Sequence, residues 1–196
     1  AIRWFQRELA GGAPLPELDA EAAATPAGAD GLVLLPYMLG EKTPLNDPEA
    51  AGALLGLGLR HTRGHVFRAL LESFGHGVRH HLDVLAEHGI RPERARVTNG
   101  GASSWLWKQV IADINGLPLE PVIDHPGSAL GAAFAAGMGC GAFAEWSEVD
   151  RFVRVGDPVL PDPATSAVHD ERHAAYLAAY EPLRPTFAAL RPREEV

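Results

Sequence analysis

The sequence predicts an α/β fold, and three observations carry that expectation. Two successive units of strand, small-residue turn and helix lie between Arg96 and Ala136, an alternation that builds a sheet covered by helices. The apolar run Leu32 to Tyr37 is short enough for a strand buried on both faces. Between Thr62 and Gly89 the pattern predicts a helix of about 25 residues, roughly 38 Å long and able to cross such a sheet.

Taken in order, Ile2, Trp4, Phe5 and Leu9 recur at helical spacing until Gly11-Gly12-Ala13-Pro14 stops the helix. An Ala-, Pro- and Gly-rich connector with one short helix then reaches Gly31. The Leu32 to Tyr37 strand is closed by Pro36 and Gly40, and Pro44, Asn46-Asp47-Pro48 and Gly52 give the following segment turn chemistry. Ala53 to Leu59 reads as another short strand. On the long helix, Val66, Phe67, Leu70, Leu71, Phe74, Val78, Leu82 and Leu85 mark one face. Arg68, Glu72, Arg79, Asp83 and Glu87 are expected mostly on the other, with Thr62 as cap and Gly89 as stop.

The first strand-turn-helix unit is Arg96 to Thr98, Asn99-Gly100-Gly101-Ala102, then Ser104 to Asn115. Its helix has Trp107, Val110, Ile111 and Ile114 on the apolar face and is ended by Gly116 and Pro118. The second unit is Leu119 to Ile123, Asp124-His125-Pro126-Gly127, then Ser128 to Ala136. Ala129 to Ala144 is nearly free of polar side chains, yet shorter than the roughly 20 residues of a membrane span and broken by Gly137, Gly139 and Gly141. It reads as a buried helix running into a loop. A last helix, Asp170 to Leu190, carries Tyr176, Leu177, Tyr180, Leu183 and Phe187, with Pro182 and Pro185 expected to kink it.

Composition narrows the function classes. With 46% hydrophobic and 21% charged residues the 196-residue chain is ordinary for a globular domain with a sizeable core. A net charge of −8 would repel a phosphate backbone, so no nucleic-acid partner is expected. The single cysteine, Cys140, allows neither an internal disulfide nor a Cys-rich zinc site, and a cytoplasmic setting fits best. Arg3, Arg7 and Glu8 interrupt the first residues, so no targeting segment or membrane partner is expected.

The Asn99-Gly100-Gly101-Ala102 turn is the sharpest chemical signal. Its glycines let a ligand approach the backbone, and the helix that follows begins with free N–H groups and a positive dipole end. That suits a nucleotide; the plain alternative is a tight turn with no ligand. Gly40-Glu41-Lys42-Thr43 imitates the end of a P-loop, but Leu35 stands where the leading glycine is required. No dinucleotide fingerprint is present. Gly101-Ala102-Ser103-Ser104-Trp105 approximates a nucleophile elbow, making Ser103 a hydrolase candidate, although Trp105 replaces the small residue such a turn needs. His61 with His65, and His76 with His80, have zinc-ligand spacing but lack the intervening Glu of a zincin, so no metal site is expected. For Asp47, Asp83, Asp113 and Asp124, capping and solvation are the expected roles.

Collinear segments across nearly the whole chain resemble the C-terminal domain of the FGGY carbohydrate kinases, most closely the xylulokinase-like members. Ala1-Ile2-Arg3-Trp4-Phe5 looks like the helix entering that domain. Leu35-Pro36-Tyr37, Gly40-Glu41-Lys42-Thr43-Pro44 and Asp47-Pro48-Glu49-Ala50 look like its cleft loop, with Lys42 where Arg is usual. The second family signature fits at Gly52, Leu54, Gly56, Leu57, His65, Val66, Ala69, Leu71 and Glu72, and departs at Leu70. Asn99-Gly100-Gly101-Ala102, Ser104, Trp107, Gln109, Ala112, Asp113, Gly116 and Pro118 resemble the ATP-binding turn and helix. Ala129-Leu130-Gly131-Ala132-Ala133 resembles the small-residue helix beside the nucleotide, preceded by His125-Pro126-Gly127-Ser128 instead of the usual acidic residue.

The resemblance implies an actin-like (ribonuclease H-like) ATPase domain over residues 1–196. This would be the C-terminal half of a sugar kinase, incomplete at its N-terminal edge and without the N-terminal sugar-binding and catalytic domain. ATP and Mg2+ would be the cofactors, a pentulose such as xylulose the substrate, and the N-terminal domain and a second copy the candidate partners. Gly100, Gly101, Ala102 and Ser104 would contact the nucleotide, while Glu41 and Thr43 would face the interdomain cleft. The general base would be an aspartate of the N-terminal domain, leaving no catalytic residue here and no activity in this chain alone. The competing readings are a non-catalytic actin-like nucleotide module and a serine hydrolase.

Overall fold

A computed structural model of the chain describes residues 1–98, 103–124 and 127–190. Helix α1 (Ile2–Trp4) runs on into a π-helical turn, Phe5–Leu9, and Gly11 and Gly12, both at positive φ, end it. Helix α2 (Leu15–Ala23) is the short helix expected in the connector. Strand β1 (Val33–Leu35) pairs antiparallel with β2 (Ala53–Leu55), Leu34 opposite Leu54. Both are shorter than the apolar runs. Pro36 has no N–H to extend β1, and Gly56 turns the chain at φ +84°. A Cβ on Gly56 would lie 2.6 Å from the Gly31 carbonyl oxygen.

Helix α3 (Arg63–Glu87) is the spine of the molecule. Thr62 and His65 close a capping box at its start, supplying partners for orphan N–H groups. Strand β3 (Ala95–Val97) lies parallel to β4 (Leu119–Ile123), with Ala95 opposite Leu119 and Val97 opposite Pro121. Helix α4 (Trp105–Asn115) is the crossover between them, capped by Ser104 and stopped by Gly116 in the left-handed conformation. Helix α5 (Ser128–Gly139) follows β4, strand β5 (Arg154–Val155) pairs antiparallel with β4, and helix α6 (Ser166–Leu190) ends the described chain. The expected α/β mixture is thus present, arranged as a two-stranded and a three-stranded sheet among the described residues.

The main core joins Phe5, Leu18, Leu32, Phe67, Leu70 and Val110. A second cluster sets Leu35 and Tyr37 of the β1 segment against Tyr176, Tyr180 and Phe187 of α6. Helices α3 and α4 approach closely because Gly75 has no side chain: a Cβ there would meet Ile114 Cδ1 at 2.5 Å.

Three expectations are corrected. Arg68 and Glu72 are buried, not solvated: Arg68 Nε donates to Glu72 at 2.7 Å, and the Gly28 N–H donates to the same carboxylate at 2.9 Å. A buried charge is tolerable only when paired in this way. His76 is buried as well, facing His169 and His173 of α6. Helix α5 buries only Phe134, which stacks on Phe143 at 4.4 Å, while Gly131, Ala132, Ala133, Ala135 and Ala136 are exposed. Helix α6 also begins earlier than Asp170, led in by a turn at Pro163–Thr165, and stays helical through Pro182 and Pro185.

Candidate functional site

Two features positioned by this fold bear on function. The first is an edge of the three-stranded sheet. Because β3 and β4 are parallel, their carboxyl ends share one edge, and α4 and α5 both start from it. Ligands of open α/β sheets bind at such edges, where helix N-termini offer N–H donors and favour anions. Ser104 has extended backbone, and its Oγ accepts the Trp107 N–H at 3.0 Å. The hydroxyl therefore holds the first turn of α4 while keeping its own proton to donate. Gly100, Gly101 and Ala102 lie outside the described residues, as do His125 and Pro126.

Behind this edge, Asp113 is buried rather than solvated. Its Oδ1 accepts the Asp162 N–H and Gln109 Nε2, each at 2.8 Å. Gln109 also donates to the Leu160 carbonyl at 2.9 Å. These side chains fasten α4 to the segment leading into α6.

The second feature is the loop from Glu41 to Asp47. Its ends exchange backbone bonds, Glu41 N–H to Asp47 O and Asp47 N–H to Glu41 O, both 2.8 Å. Glu41 Oε1 accepts the Thr43 N–H at 3.2 Å, and Thr43 Oγ1 lies 3.0 Å from His81 Nε2 on α3. From the other side, the Tyr180 hydroxyl donates to Asp47 Oδ2 at 2.6 Å, and Glu49 N–H donates to Oδ1 at 2.8 Å. These bonds hold the Asp47 carboxyl below the usual carboxylate range. Desolvation and the Asp47 bond push Tyr180 up to about 12. The Tyr37 hydroxyl bonds that of Tyr176 at 2.8 Å beneath the loop, and burial raises both phenols.

Glu41 and Thr43 are therefore brought together, and they sit apart from Ser104 on a separate element. Sequence reasoning missed His81, Tyr180 and the anchoring role of Asp47. The one available signal was the Tyr176 and Tyr180 spacing, which put two hydroxyls on one face of α6. His61 and His65 do stand close, with ring centroids 5.5 Å apart, but His61 accepts the Gly58 N–H and His65 completes the cap of α3. Among the described residues no group of three or more His, Cys, Asp or Glu could hold a metal ion, and no helix is long and apolar enough to cross a membrane.

Comparison with known proteins places this architecture. Residues 4–140 match the C-terminal domain of the FGGY family of carbohydrate kinases. The xylulose kinase of Escherichia coli K12 is 32% identical over 182 residues, which are 92% of this chain and 38% of that protein. The crystal structure of xylulose kinase from Rhodospirillum rubrum superposes with a TM-score of 0.84 at 42% identity, covering 95% of this chain and 38% of that one. The ligand-bound xylulose kinase of Lactobacillus acidophilus shares the fold at a TM-score of 0.89 and 23% identity, covering 96% and 39%. The chain thus spans well under half the length of these relatives. From the family match and the accompanying alignments, the chain belongs to the FGGY family of carbohydrate kinases.

Proposed function

We propose that this chain is the nucleotide-side half of an ATP-dependent sugar kinase that phosphorylates a pentulose such as xylulose. The observation that carries the reading is the 42% identity and common fold with the Rhodospirillum rubrum xylulose kinase over nearly the whole chain. In this reading the chain is the C-terminal portion of an actin-like, ribonuclease H-like pair of domains. Its sheet edge, with Gly100, Gly101, Ala102 and Ser104 between β3 and α4, receives ATP. Its Glu41 to Asp47 loop closes on the N-terminal domain and the sugar.

Catalysis in such a kinase is mainly positioning and charge stabilisation. The backbone donors at the start of α4 and the Ser104 hydroxyl orient the nucleotide. A base from the N-terminal domain takes the proton of the attacking sugar hydroxyl. Closure of the loop against that domain excludes water and limits idle ATP hydrolysis. Mg2+ typically reaches a kinase site bound to nucleotide phosphates and one or two carboxylates. It would supply charge neutralisation at the phosphates. Kinase membership replaces the hydrolase reading of Ser103. A second copy of the kinase is a further candidate partner, and a cytoplasmic setting suits an ATP-consuming enzyme.

The test is sugar-dependent ADP release by a polypeptide that joins this chain to an N-terminal kinase domain, across a panel of ketoses and polyols. A pentulose is expected to give the highest kcat/KM. Failure of every sugar to raise ADP release above the sugar-free rate would overturn the reading.

A further inference from the structure

The hydrogen bonds of His81 fix more than the position of the loop. His81 Nδ1 lies 2.7 Å from the Gly77 carbonyl oxygen, one turn back on α3. A carbonyl can only accept, so Nδ1 carries the proton. In the neutral ring Nε2 is then an acceptor, and the Thr43 hydroxyl 3.0 Å away is its donor. Thr43 has a single hydroxyl proton, and it is directed at His81. What exposed Thr43 offers outward is oxygen lone pairs only. Its neighbour Glu41, whose Oε1 already accepts the Thr43 N–H at 3.2 Å, is an acceptor as well.

We propose that Thr43, oriented by the Gly77–His81 hydrogen-bond chain, recognises a sugar hydroxyl by accepting its hydrogen bond, and that His81 is the positioning residue for this contact. The ligand class is a polyol or ketose, because an acceptor pair repels phosphate oxygens and matches O–H donors. The inference deepens the kinase reading and rests on it, since it places the Glu41 to Asp47 loop on the sugar side of the cleft. Lys42, between the two acceptors in sequence, supplies the contrary hypothesis: a cation there would draw the loop to phosphate.

The experiment uses the two-domain kinase and measures KM for sugar and for ATP separately. Thr43→Val, which keeps shape but removes the hydroxyl, is expected to raise the sugar KM roughly three- to tenfold, the loss of one neutral hydrogen bond. The ATP KM should stay within about twofold, and Thr43→Ser should restore the sugar KM because the hydroxyl returns. His81→Leu should raise the sugar KM in the same direction with Thr43 intact. Thr43 and His81 are exposed, so unaltered melting temperatures are expected and separate recognition from folding. A rise confined to the ATP KM overturns the proposal in favour of phosphate contact through this loop. Unchanged sugar KM in an active enzyme overturns the proposal alone. A wild-type enzyme that releases no ADP in response to any sugar overturns the kinase reading and this inference together.

Discussion

At single residues, polar side chains in this chain divide into those that hold the scaffold and those free to meet a ligand. Glu72 belongs to the first group, with one carboxylate serving both Arg68 and the Gly28 N–H. Glu72→Ala strands the buried Arg68 charge and leaves an orphan N–H. It is expected to cost about 3–5 kcal/mol, read as a lowered urea midpoint at unchanged m-value. Ser104 spans both groups. Ser104→Ala should cost about 1 kcal/mol of stability through the lost cap and also weaken ATP binding, whereas Ser104→Asp should retain the cap and still impair ATP through charge repulsion. Gly101→Trp isolates the ligand question: a bulky side chain in the proposed nucleotide turn is expected to weaken ATP binding at least tenfold by calorimetry, and unchanged affinity would displace the site from that turn. Ser104 at the start of α4 was legible because strand-to-helix turns leave a local pattern, while Gly100 and Gly101 lie outside the described residues. Thr43 and Glu41 were placed only by resemblance, and their anchors His81 and Tyr180 stayed hidden because they lie 38 and 133 residues away from the groups they bond.

Among the elements, the caps of α3 and α4 made both helices readable nearly to the residue, with Thr62, Ser104 and Gly116 marking ends by local hydrogen bonding or backbone geometry. Which faces those helices bury was less legible. Periodicity ranks side chains by polarity, and it cannot register that Arg68 finds Glu72 or that His76 meets another helix's histidines. The exposed α5 shows the converse, since a run of Gly and Ala carries no information about what lies against it. The α3–α6 contact has a consequence for pH. His76 stacks on His173 at 5.5 Å and approaches His169 at 6.3 Å, all three buried. His173 bonds Asp83 at 2.8 Å, while His76 Nδ1 and both His169 nitrogens have no hydrogen-bond partner among the described residues. Desolvation, reinforced by His173, His169, Arg79 and Arg172, lowers His76 to about 3, and desolvation reinforced by Arg68 and Arg79 lowers His169 to about 4; desolvation also lowers His173 despite Asp83. The unfolded chain therefore binds these protons first. Stability is fully present above about pH 6.5 and falls as the pH drops towards about 4, by roughly 1.4 kcal/mol per pH unit for each histidine held neutral. Urea unfolding between pH 7.5 and 4.5 should show that slope. His169→Leu should reduce it, and an equal slope in that variant would remove His169 from the effect.

For the whole molecule, surface area makes the clearest statement. The chain exposes 11609 Å², against roughly 9,000 Å² expected for a self-contained protein of its mass. The described residues also form a groove of about 640 Å³ lined by Trp4, Leu9, Leu34, Met38, Leu39 and Leu54. Leu39 is fully exposed and Leu9 more than half exposed, so the groove presents side chains that a partner surface would cover. Inter-domain contacts commonly bury about 600–1,500 Å², a size that the surplus can accommodate. The proposal that this chain works only beside an N-terminal kinase domain therefore has two linked readouts. Residues 1–196 alone should bind the apolar dye ANS strongly and release no ADP in response to sugar. Joined to the N-terminal domain, the protein should lose most of that dye fluorescence and gain sugar-dependent turnover, because covering the groove and assembling the cleft are one event. Leu39→Asp in the joined protein separates surface from chemistry: it should weaken domain association and lower turnover while leaving the Ser104 edge untouched. Sugar-dependent ADP release by residues 1–196 alone would show that a second domain is not needed, and would overturn the two-domain account.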